Sequence, residues 1–229
     1  MSQNFELLNQ LQEEIGTTPT SRAIPRPSEI PGSPNPVLLR LAQSVFLSEG
    51  VRTPHVIVLC GIEDENGSSH ICLELGRVLA ASSNRQVCLV DGDARRLRLT
   101  KAFAGNSVGG TQKNCTLQGP NLWVAAPDTL VPGSDGVLAP ANQLKPSIAR
   151  LQQAFQFVLI DAPGINAQGD AAVLGQLADA TILVVEANRT RKVTALKAKH
   201  SLETMNIHLL GIVLNNRTYP IPESLYRKL

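Results

Sequence analysis

The chain has 229 residues, of which 43% are hydrophobic and 17% are charged, and this fits either one globular domain of ordinary size or a domain with a short appendage. Its formal net charge of +2 argues against a global field that would attract nucleic acid or an anionic membrane. No apolar run approaches the roughly 18 residues that a membrane span needs, and the first residues lack a signal-peptide pattern. We therefore expect a cytoplasmic protein.

The first 36 residues are predicted to lie outside the main domain. Residues 1–16 place Leu7, Leu8, Leu11 and Ile15 at roughly helical spacing before Gly16, which predicts one short amphipathic helix. This helix is either a frayed terminal element or a docking helix for a partner. Residues 17–36 hold six of the 15 prolines, and we interpret them as a linker without regular secondary structure.

From residue 37 to residue 215, short apolar runs alternate with helical stretches. The runs are predicted to be strands buried on both faces, at 55–60, 87–92, 121–126, 157–162, 180–187 and 209–215. Helices are predicted after the first strand and at 141–154, 168–178 and 190–205. This alternation predicts a three-layer α/β/α fold with a mostly parallel central sheet. The four cysteines show no metal-ligand spacing, and we expect reduced thiols in the core.

The segment after the first strand, GIEDENGSSHICLEL, has the layout of a phosphate-binding loop followed by a helix. Such loops follow the pattern G-x-x-x-x-G-K-[ST], in which the lysine neutralises phosphate charge and the hydroxyl holds magnesium. Aligned on Gly67, the chain has Ser68 at the lysine and Ser69 at the hydroxyl, and residues 1–100 contain no lysine. The loop also carries carboxylates at 63–65, and each would cost roughly 2 kcal/mol at about 8 Å from a phosphate charge.

Two further strand ends carry carboxylates. Asp91 and Asp93 follow the second strand, and Asp161 follows the fourth. In a parallel sheet, ligands bind beyond the carboxyl ends of the strands, and carboxylates placed there suit a magnesium ion and an activated nucleophile. Each aspartate has the alternative role of capping a turn or a helix. The basic run from Arg95 to Lys101 is interpreted either as a contact for phosphate or an acidic tail, or as a solvated helix face.

Three segments together resemble the cytoplasmic domain of bacterial tyrosine kinases of capsule and exopolysaccharide synthesis. They are the first strand with its phosphate loop, the segment V-C-L-V-D-G-D-A-R-R with a phenylalanine seven residues later, and the segment F-V-L-I-D-A-P. These kinases are deviant Walker, P-loop ATPase-like proteins. The resemblance runs from about residue 37 to the C-terminus, and residues 87–103 are its most specific part.

The resemblance implies roles for individual residues. Asp91 would be the catalytic aspartate and Asp93 its second carboxylate, Asp161 and Ser69 would hold Mg²⁺, and Asn215 would contact the nucleotide base. Gly67 and Ser68 would belong to the nucleotide-binding loop. The departures from the family pattern are Ser68 for the loop lysine, Leu97 for a proline, Thr100 for a histidine, and a ring-assembly motif reduced to Arg40. The family implies ATP and Mg²⁺ as ligands, and these departures argue against ATP turnover here.

The family ends in a tyrosine cluster, and the two tyrosines of this chain, Tyr219 and Tyr226, both lie in its last 11 residues. Residues 216–229 are therefore predicted to be a tail with two candidate phosphoacceptors. The alternative is that both tyrosines pack onto the domain as amphipathic anchors.

These observations predict a kinase-like P-loop protein that regulates exopolysaccharide or capsule synthesis and export without catalysis. The expected partner is a membrane polysaccharide co-polymerase or export protein, which would bring the chain to the inner membrane, or an active kinase subunit. A homo-oligomer is the further expected assembly, and nucleic acid is not an expected partner. The alternatives are an active ATP-dependent tyrosine autokinase and a positioning ATPase of the septum or partition type.

Overall fold

The computed structural model describes residues 35–47, 53–104, 109–112, 115–130, 140–166 and 169–217. The helices in these ranges are α1 (Pro36–Phe46), α2 (Ser68–Ser83), α3 (Arg98–Ala102), α4 (Ala141–Ala154), α5 (Asp170–Leu177) and α6 (Lys192–Thr204). The strands are β1 (Val56–Gly61), β2 (Val87–Asp91), β3 (Gly109–Gln112), β4 (Cys115–Gly119), β5 (Leu122–Ala125), β6 (Phe157–Asp161), β7 (Ala180–Glu186) and β8 (Leu209–Asn215). A short 3-10 helix follows β5 at Pro127–Thr129.

The described strands form one sheet in the order β3-β4-β5-β2-β6-β1-β7-β8. From β5 to β8 all neighbours are parallel, and β3 and β4 add an antiparallel extension beside β5. The predicted three-layer, mostly parallel α/β fold is thereby confirmed.

Each face of the sheet carries its own apolar core because successive strand side chains point to opposite faces. On β1, Val56, Val58 and Cys60 join the cluster that lies beneath α4, α5 and α6, whereas Ile57 and Leu59 join the cluster beneath α1 and α2. Strands buried on both faces consist of continuous apolar residues. The bounds of the central strands could therefore be predicted to within one residue at either end.

The elements that the sequence analysis missed are short or lie at the periphery. Helix α1 begins at Pro36, the last residue of the predicted linker, because Asn35 caps the helix by accepting from Val37 N at 3.0 Å and proline is tolerated in the first turn. Helix α3 has five residues, and β3 and β4 have four and five. Segments this short carry too few residues for a periodic pattern.

One strand differs from its prediction in burial. The run 209–215 was expected to be buried on both faces, and this is wrong, because β8 lies at the edge of the sheet and all seven of its residues are half-buried. The four cysteines are buried free thiols, as expected.

The predicted helix 1–16, most of the predicted linker and the predicted tail from residue 218 onward lie outside the described residues. Of the helices within the described ranges, none combines the length and the apolar character that crossing a membrane requires.

Candidate functional site

The loop between β1 and α2 lies at the carboxyl ends of the parallel strands, which is where open α/β sheets bind their ligands. Gly67 precedes α2 with φ of +84°, a conformation that favours glycine, and a Cβ at this position would collide with the Asn215 side chain. The Asn215 amide donates to Asn66 O at 2.9 Å. The end of β8 therefore supports the turn that leads into α2.

Asp91 and Asp161 form the floor of this region. They are register partners on the adjacent strands β2 and β6, and both are almost fully buried. Asp91 Oδ2 accepts from the backbone N and the Oγ1 of Thr100, each at 3.1 Å, whereas Ser68 and Ser69 donate to Asp161. The Oδ1 atoms of Asp91 and Asp161 are buried without a hydrogen-bond partner among the described residues.

Burial raises the pKa of both carboxyls. Desolvation raises the pKa of Asp161 to about 7, against the hydrogen bonds from Ser69 and Ser68 and the charge of Arg98, which lower it, while nearby Asp91 raises it further. Desolvation also raises the pKa of Asp91, and the two hydrogen bonds from Thr100 oppose this rise. Two carboxylates this close in a desolvated floor favour a state in which one of them retains a proton.

The acidic part of the loop lies above this floor. Asp64 Oδ2 pairs with the Arg96 guanidinium at 2.5 Å, and Asp64 Oδ1 lies 3.5 Å from the backbone N of Gly164, which donates to it. A Cβ at Gly164 would come within 2.7 Å of the carbonyl carbon of Glu63, so the loop packs directly on the turn after β6. A carboxylate of the chain itself thus takes the guanidinium and the backbone N–H, two groups of the kind that bind phosphate.

A small cavity separates the loop from the floor. Its volume is about 10 Å³, which is room for about one water molecule. Its walls include the carboxylates of residues 63–65, Asp93 and Asp161, the hydroxyls of Ser68 and Ser69, and one cation, Arg98. The enclosed space itself is thus too small for a triphosphate.

The structure thus brings together the candidate residues Gly67, Ser68, Ser69, Asp161 and Asn215, which surround the same loop. The Asn215 amide donates a hydrogen bond to the loop backbone, and its predicted contact with a nucleotide base stays a prediction.

Asp93 also borders the cavity, but its Oδ1 accepts from the backbone N of Arg95 and of Arg96, both at 3.2 Å. This is the turn-capping alternative for a strand-end aspartate. Tyr219 and Tyr226 lie outside the described residues.

Three contributors to the site were not identified from the sequence. Arg98 belonged to a basic run with two open interpretations, and it lines the cavity. Thr100 was noted only as a departure from the family pattern, and it is the hydrogen-bond donor to Asp91. Asn66 accepts from Glu63 N at 2.8 Å and closes the loop, a pattern that an asparagine between acidic residues and a glycine could have suggested.

The oxygen donors of the floor fit a magnesium ion better than the loop fits a triphosphate. Ser69 and the orphaned Oδ1 of Asp161 are ligands of the type that Mg²⁺ prefers, since it binds few protein oxygens and retains several waters. The described residues contain no cluster of three or more His, Cys, Asp or Glu arranged to hold a metal ion. The loop offers carboxylates and no lysine where a triphosphate would need positive charge.

Comparison with known proteins gives this site a family context. The family model described as ATPase MipZ matches residues 55–190, a range that includes the loop, β2 and β6. The tyrosine-protein kinase YwqD of Bacillus subtilis is 31% identical over 150 residues, which cover 61% of this chain and 63% of YwqD. The chain thus spans less than two thirds of that relative. The tyrosine-protein kinase wzc of Salmonella typhimurium is 25% identical over 174 residues, covering 71% of this chain and 24% of wzc.

The fold has a counterpart among solved structures. The crystal structure of the chimerical protein CapA2B2 superposes with a TM-score of 0.67 at 22% identity, covering 83% of this chain and 88% of that one. At this level of identity the match shows the fold alone.

Proposed function

We propose that this chain, which belongs to the family described as ATPase MipZ and is a P-loop protein related to the bacterial tyrosine kinases of capsule and exopolysaccharide synthesis, regulates polysaccharide assembly by binding and without phosphoryl transfer. Its role would be that of a folded domain whose surface a partner recognises.

The observation that supports the loss of catalysis is the contact between Asp64 and Arg96. In a working phosphate loop the positive charges and backbone N–H groups are available to a phosphate. Here a loop carboxylate holds the guanidinium at 2.5 Å and approaches the Gly164 N–H, while Ser68 replaces the loop lysine. The loop therefore carries its own anion in the region where a nucleotide would bring one.

Titration calorimetry of the full chain with Mg-ATP and Mg-ADP tests this proposal. We expect no binding tighter than about millimolar, whereas a functional site would bind at least about a hundredfold tighter, a difference of about 2.7 kcal/mol. An active tyrosine kinase of the family serves as the positive control. Binding at about 10 µM or below by the unmodified chain would overturn the proposal.

A pair of variants separates the two causes of lost affinity. Ser68→Lys alone should restore little binding, because Glu63, Asp64 and Glu65 still oppose the phosphates. The same substitution combined with neutral amides at these three positions should give measurable Mg-ATP affinity. Tight binding by the single variant would show that the missing lysine alone disabled the site.

The proposed partner is a membrane polysaccharide co-polymerase or export protein, or an active kinase subunit. The match to wzc covers only 24% of that protein, so a domain similar to this chain occurs there as one part of a much larger protein. Attachment to the inner membrane would then depend on the partner. Copurification of the full chain with candidate membrane proteins from the same polysaccharide locus is the direct test.

One observation favours the alternative of an active autokinase. Arg98 lines the cavity beside Ser68, Ser69 and Asp161, so a cation is present although it is not a lysine of the loop. In this alternative, Arg98 would neutralise phosphate charge, Asp161 and Ser69 would hold Mg²⁺, and Asp91 would accept the proton of the tyrosine hydroxyl. The ion, when bound, would neutralise charge that develops on the transferred phosphoryl group.

Tyr219 and Tyr226 distinguish the two candidate functions. If the chain is a substrate without kinase activity, its intact mass should rise only with ATP and an active family kinase together. A rise with ATP alone that disappears in Asp91→Ala would favour the autokinase. Each added phosphate would bring about −1.5 to −2 charges close to Arg217, Arg227 and Lys228.

A further inference from the structure

The outer face of α6 is the most apolar exposed surface of the described residues. Only three large hydrophobic side chains of the described residues are exposed, and two of them, Val193 at 63% and Leu196 at 41%, lie one helical turn apart on α6. The third, Val37 at 69%, lies on α1 beside the opposite face of the sheet. Helix α6 already buries Ala195, Ala198 and Leu202 against the core, so Val193 and Leu196 do not serve its packing on the sheet.

Helix α6 and the turn before it are basic. Residues 186–204 contain five Lys and Arg and two Glu, a formal charge of +3 that exceeds the +2 of the whole chain. The two glutamates are used locally, since Glu186 pairs with Arg189 at 3.2 Å and Glu203 with Lys199 at 3.5 Å. The exposed Lys197 follows Leu196 directly and has no ion pair among the described residues. An apolar patch within positive charge fits an acidic amphipathic segment.

This chain contains such a segment. Residues 1–16 carry Glu6, Glu13 and Glu14 and no Lys or Arg, a side-chain charge of −3 that is opposite to that of the α6 face. Their sequence also repeats leucine and isoleucine at helical spacing, which would supply an apolar stripe for Val193 and Leu196. The predicted N-terminal helix thus matches the α6 face in both chemistry and charge.

The connecting chain is long enough for this contact. Residues 17–34 are 18 residues, and a proline-rich chain extends by about 3.1 Å per residue, which gives a reach of about 55 Å. A domain of this size is about 40 Å across by its expected radius of gyration. The tether joins the domain at Asn35, before α1, and it can therefore pass around the edge strand β8 to α6.

We propose that residues 1–16 dock on the outer face of α6 of the same chain, with Val193 and Leu196 as the apolar contact and Lys192 and Lys197 facing the glutamates. This docked segment would cover a surface that an acidic partner could otherwise bind. Docking of this segment does not depend on whether nucleotide binds.

Zero-length carbodiimide coupling of the full chain tests the contact, because it joins a carboxylate to a lysine amine only when the two touch. We expect Glu13 or Glu14 to be linked to Lys192 or Lys197, as mapped by mass spectrometry. An equimolar mixture of ¹⁴N and ¹⁵N protein should give these links within one isotope. Mixed-isotope links would overturn docking in the same chain, and equal linkage to Lys101 or Lys145, or no linkage, would overturn docking on α6.

A matched set of variants tests the apolar contact. Val193→Gln or Leu196→Gln removes the apolar contact, adds no carboxylate that could couple to the lysines, and should lower the yield of these links at least about fivefold, a loss of about 1 kcal/mol in docking. Val37→Gln places the same change on the remaining exposed large apolar residue of the described part of the chain, and it should leave the yield unchanged. Because all three sites are exposed, the variants should unfold at the temperature of the unmodified chain. Equal yields in all three variants would contradict the proposal.

Discussion

The floor of the candidate site and the loop above it are held in different ways. Asp91 and Asp161 sit at the ends of two adjacent buried strands, and their positions follow from the register of β2 with β6. The carboxylates of the loop are exposed or half-buried, and Asp64 is held by an ion pair and a close turn. The floor carries its carboxylates at a cost in desolvation, whereas the loop has a serine at the lysine position of the phosphate-loop pattern and three acidic residues before it.

The positions of the floor carboxylates follow from sheet packing, whereas the charges of the loop matter mainly for binding phosphate. Strand ends are fixed by sheet packing, so the carboxylates there can persist after their ligand is lost. A loop that no longer binds phosphate is free to change its charge, provided that its turn still closes. If this is so, removing a carboxylate of the buried floor should change stability strongly, whereas neutralising a charged side chain of the loop should change it little.

The largest effect is expected at Asp161. Its pKa is raised to about 7 from 3.8, so the unfolded chain releases this proton at a lower pH than the folded chain. The free energy of unfolding should therefore fall as pH rises from about 4 to 7, by up to about 4 kcal/mol, and stay level above that range. Asp161→Asn should remove this fall and stabilise the protein at neutral pH, as measured by urea unfolding across this range.

The control for this variant is Asp128→Asn, which changes an exposed carboxylate and should leave stability nearly unchanged. A second measurement follows unfolding with and without magnesium. A magnesium-dependent rise in melting temperature that vanishes in Asp161→Asn would show that the floor still holds its metal, and it would contradict the proposed loss of function there.

The next effect is expected where the loop meets the turn after β6. Gly164→Ala would bring a Cβ to 2.7 Å from the carbonyl carbon of Glu63 and 3.0 Å from Asp64 N, and these backbone atoms cannot rotate away. We expect a loss of about 2 to 3 kcal/mol in unfolding free energy, as for an overpacked core. Gly211→Ala, which meets nothing within 4 Å, should cost little. Equal stability of both variants would mean that the loop is not packed on this turn.

A smaller effect is expected at Thr100. Its hydroxyl donates to the buried Asp91 at 3.1 Å and favours the charged carboxylate, which burial disfavours. Thr100→Val should cost about 1.5 to 2 kcal/mol at neutral pH, because a hydrogen bond to a charged group is lost. Since the pKa of Asp91 would then rise further, the cost should shrink as the pH is lowered and the carboxyl becomes protonated. Thr100→Ser retains the hydroxyl and should retain most of the stability.

The sequence predicted the part of the molecule in which local pattern and burial agree. The central strands were continuous apolar runs, and the aspartates at the ends of β2 and β6 follow from where those runs stop. The edge strand β8 has the same composition as a central strand, so its half-buried state could not be predicted from its residues. Strand order is a property of the assembled sheet and is not encoded in the composition of one strand.

The loop contacts could not be predicted for a related reason. Asp64 and Arg96 are 32 residues apart, and nothing in the spacing of either residue identifies the other as its partner. Similarly, Arg98 reaches the cavity because α3 begins there after Leu97 adopts a φ of +52°. Such contacts depend on how two loops pack at the same sheet edge, and short segments with few apolar residues leave that packing undetermined.

The smallest effect is expected for the ion pair itself, and it is the sharpest test of the contrast between floor and loop. The Arg96 and Asp64 side chains are 38% and 32% exposed, so water and salt screen their attraction despite the short distance. A double-mutant cycle with Asp64→Asn and Arg96→Gln should give a coupling free energy below about 1 kcal/mol, falling toward zero in about 1 M salt. A coupling of about 3 kcal/mol that persists in salt would be typical of a buried pair. The loop would then be as rigidly built as the floor, and its acidic charge would be a structural requirement of the fold and not the consequence of a lost ligand.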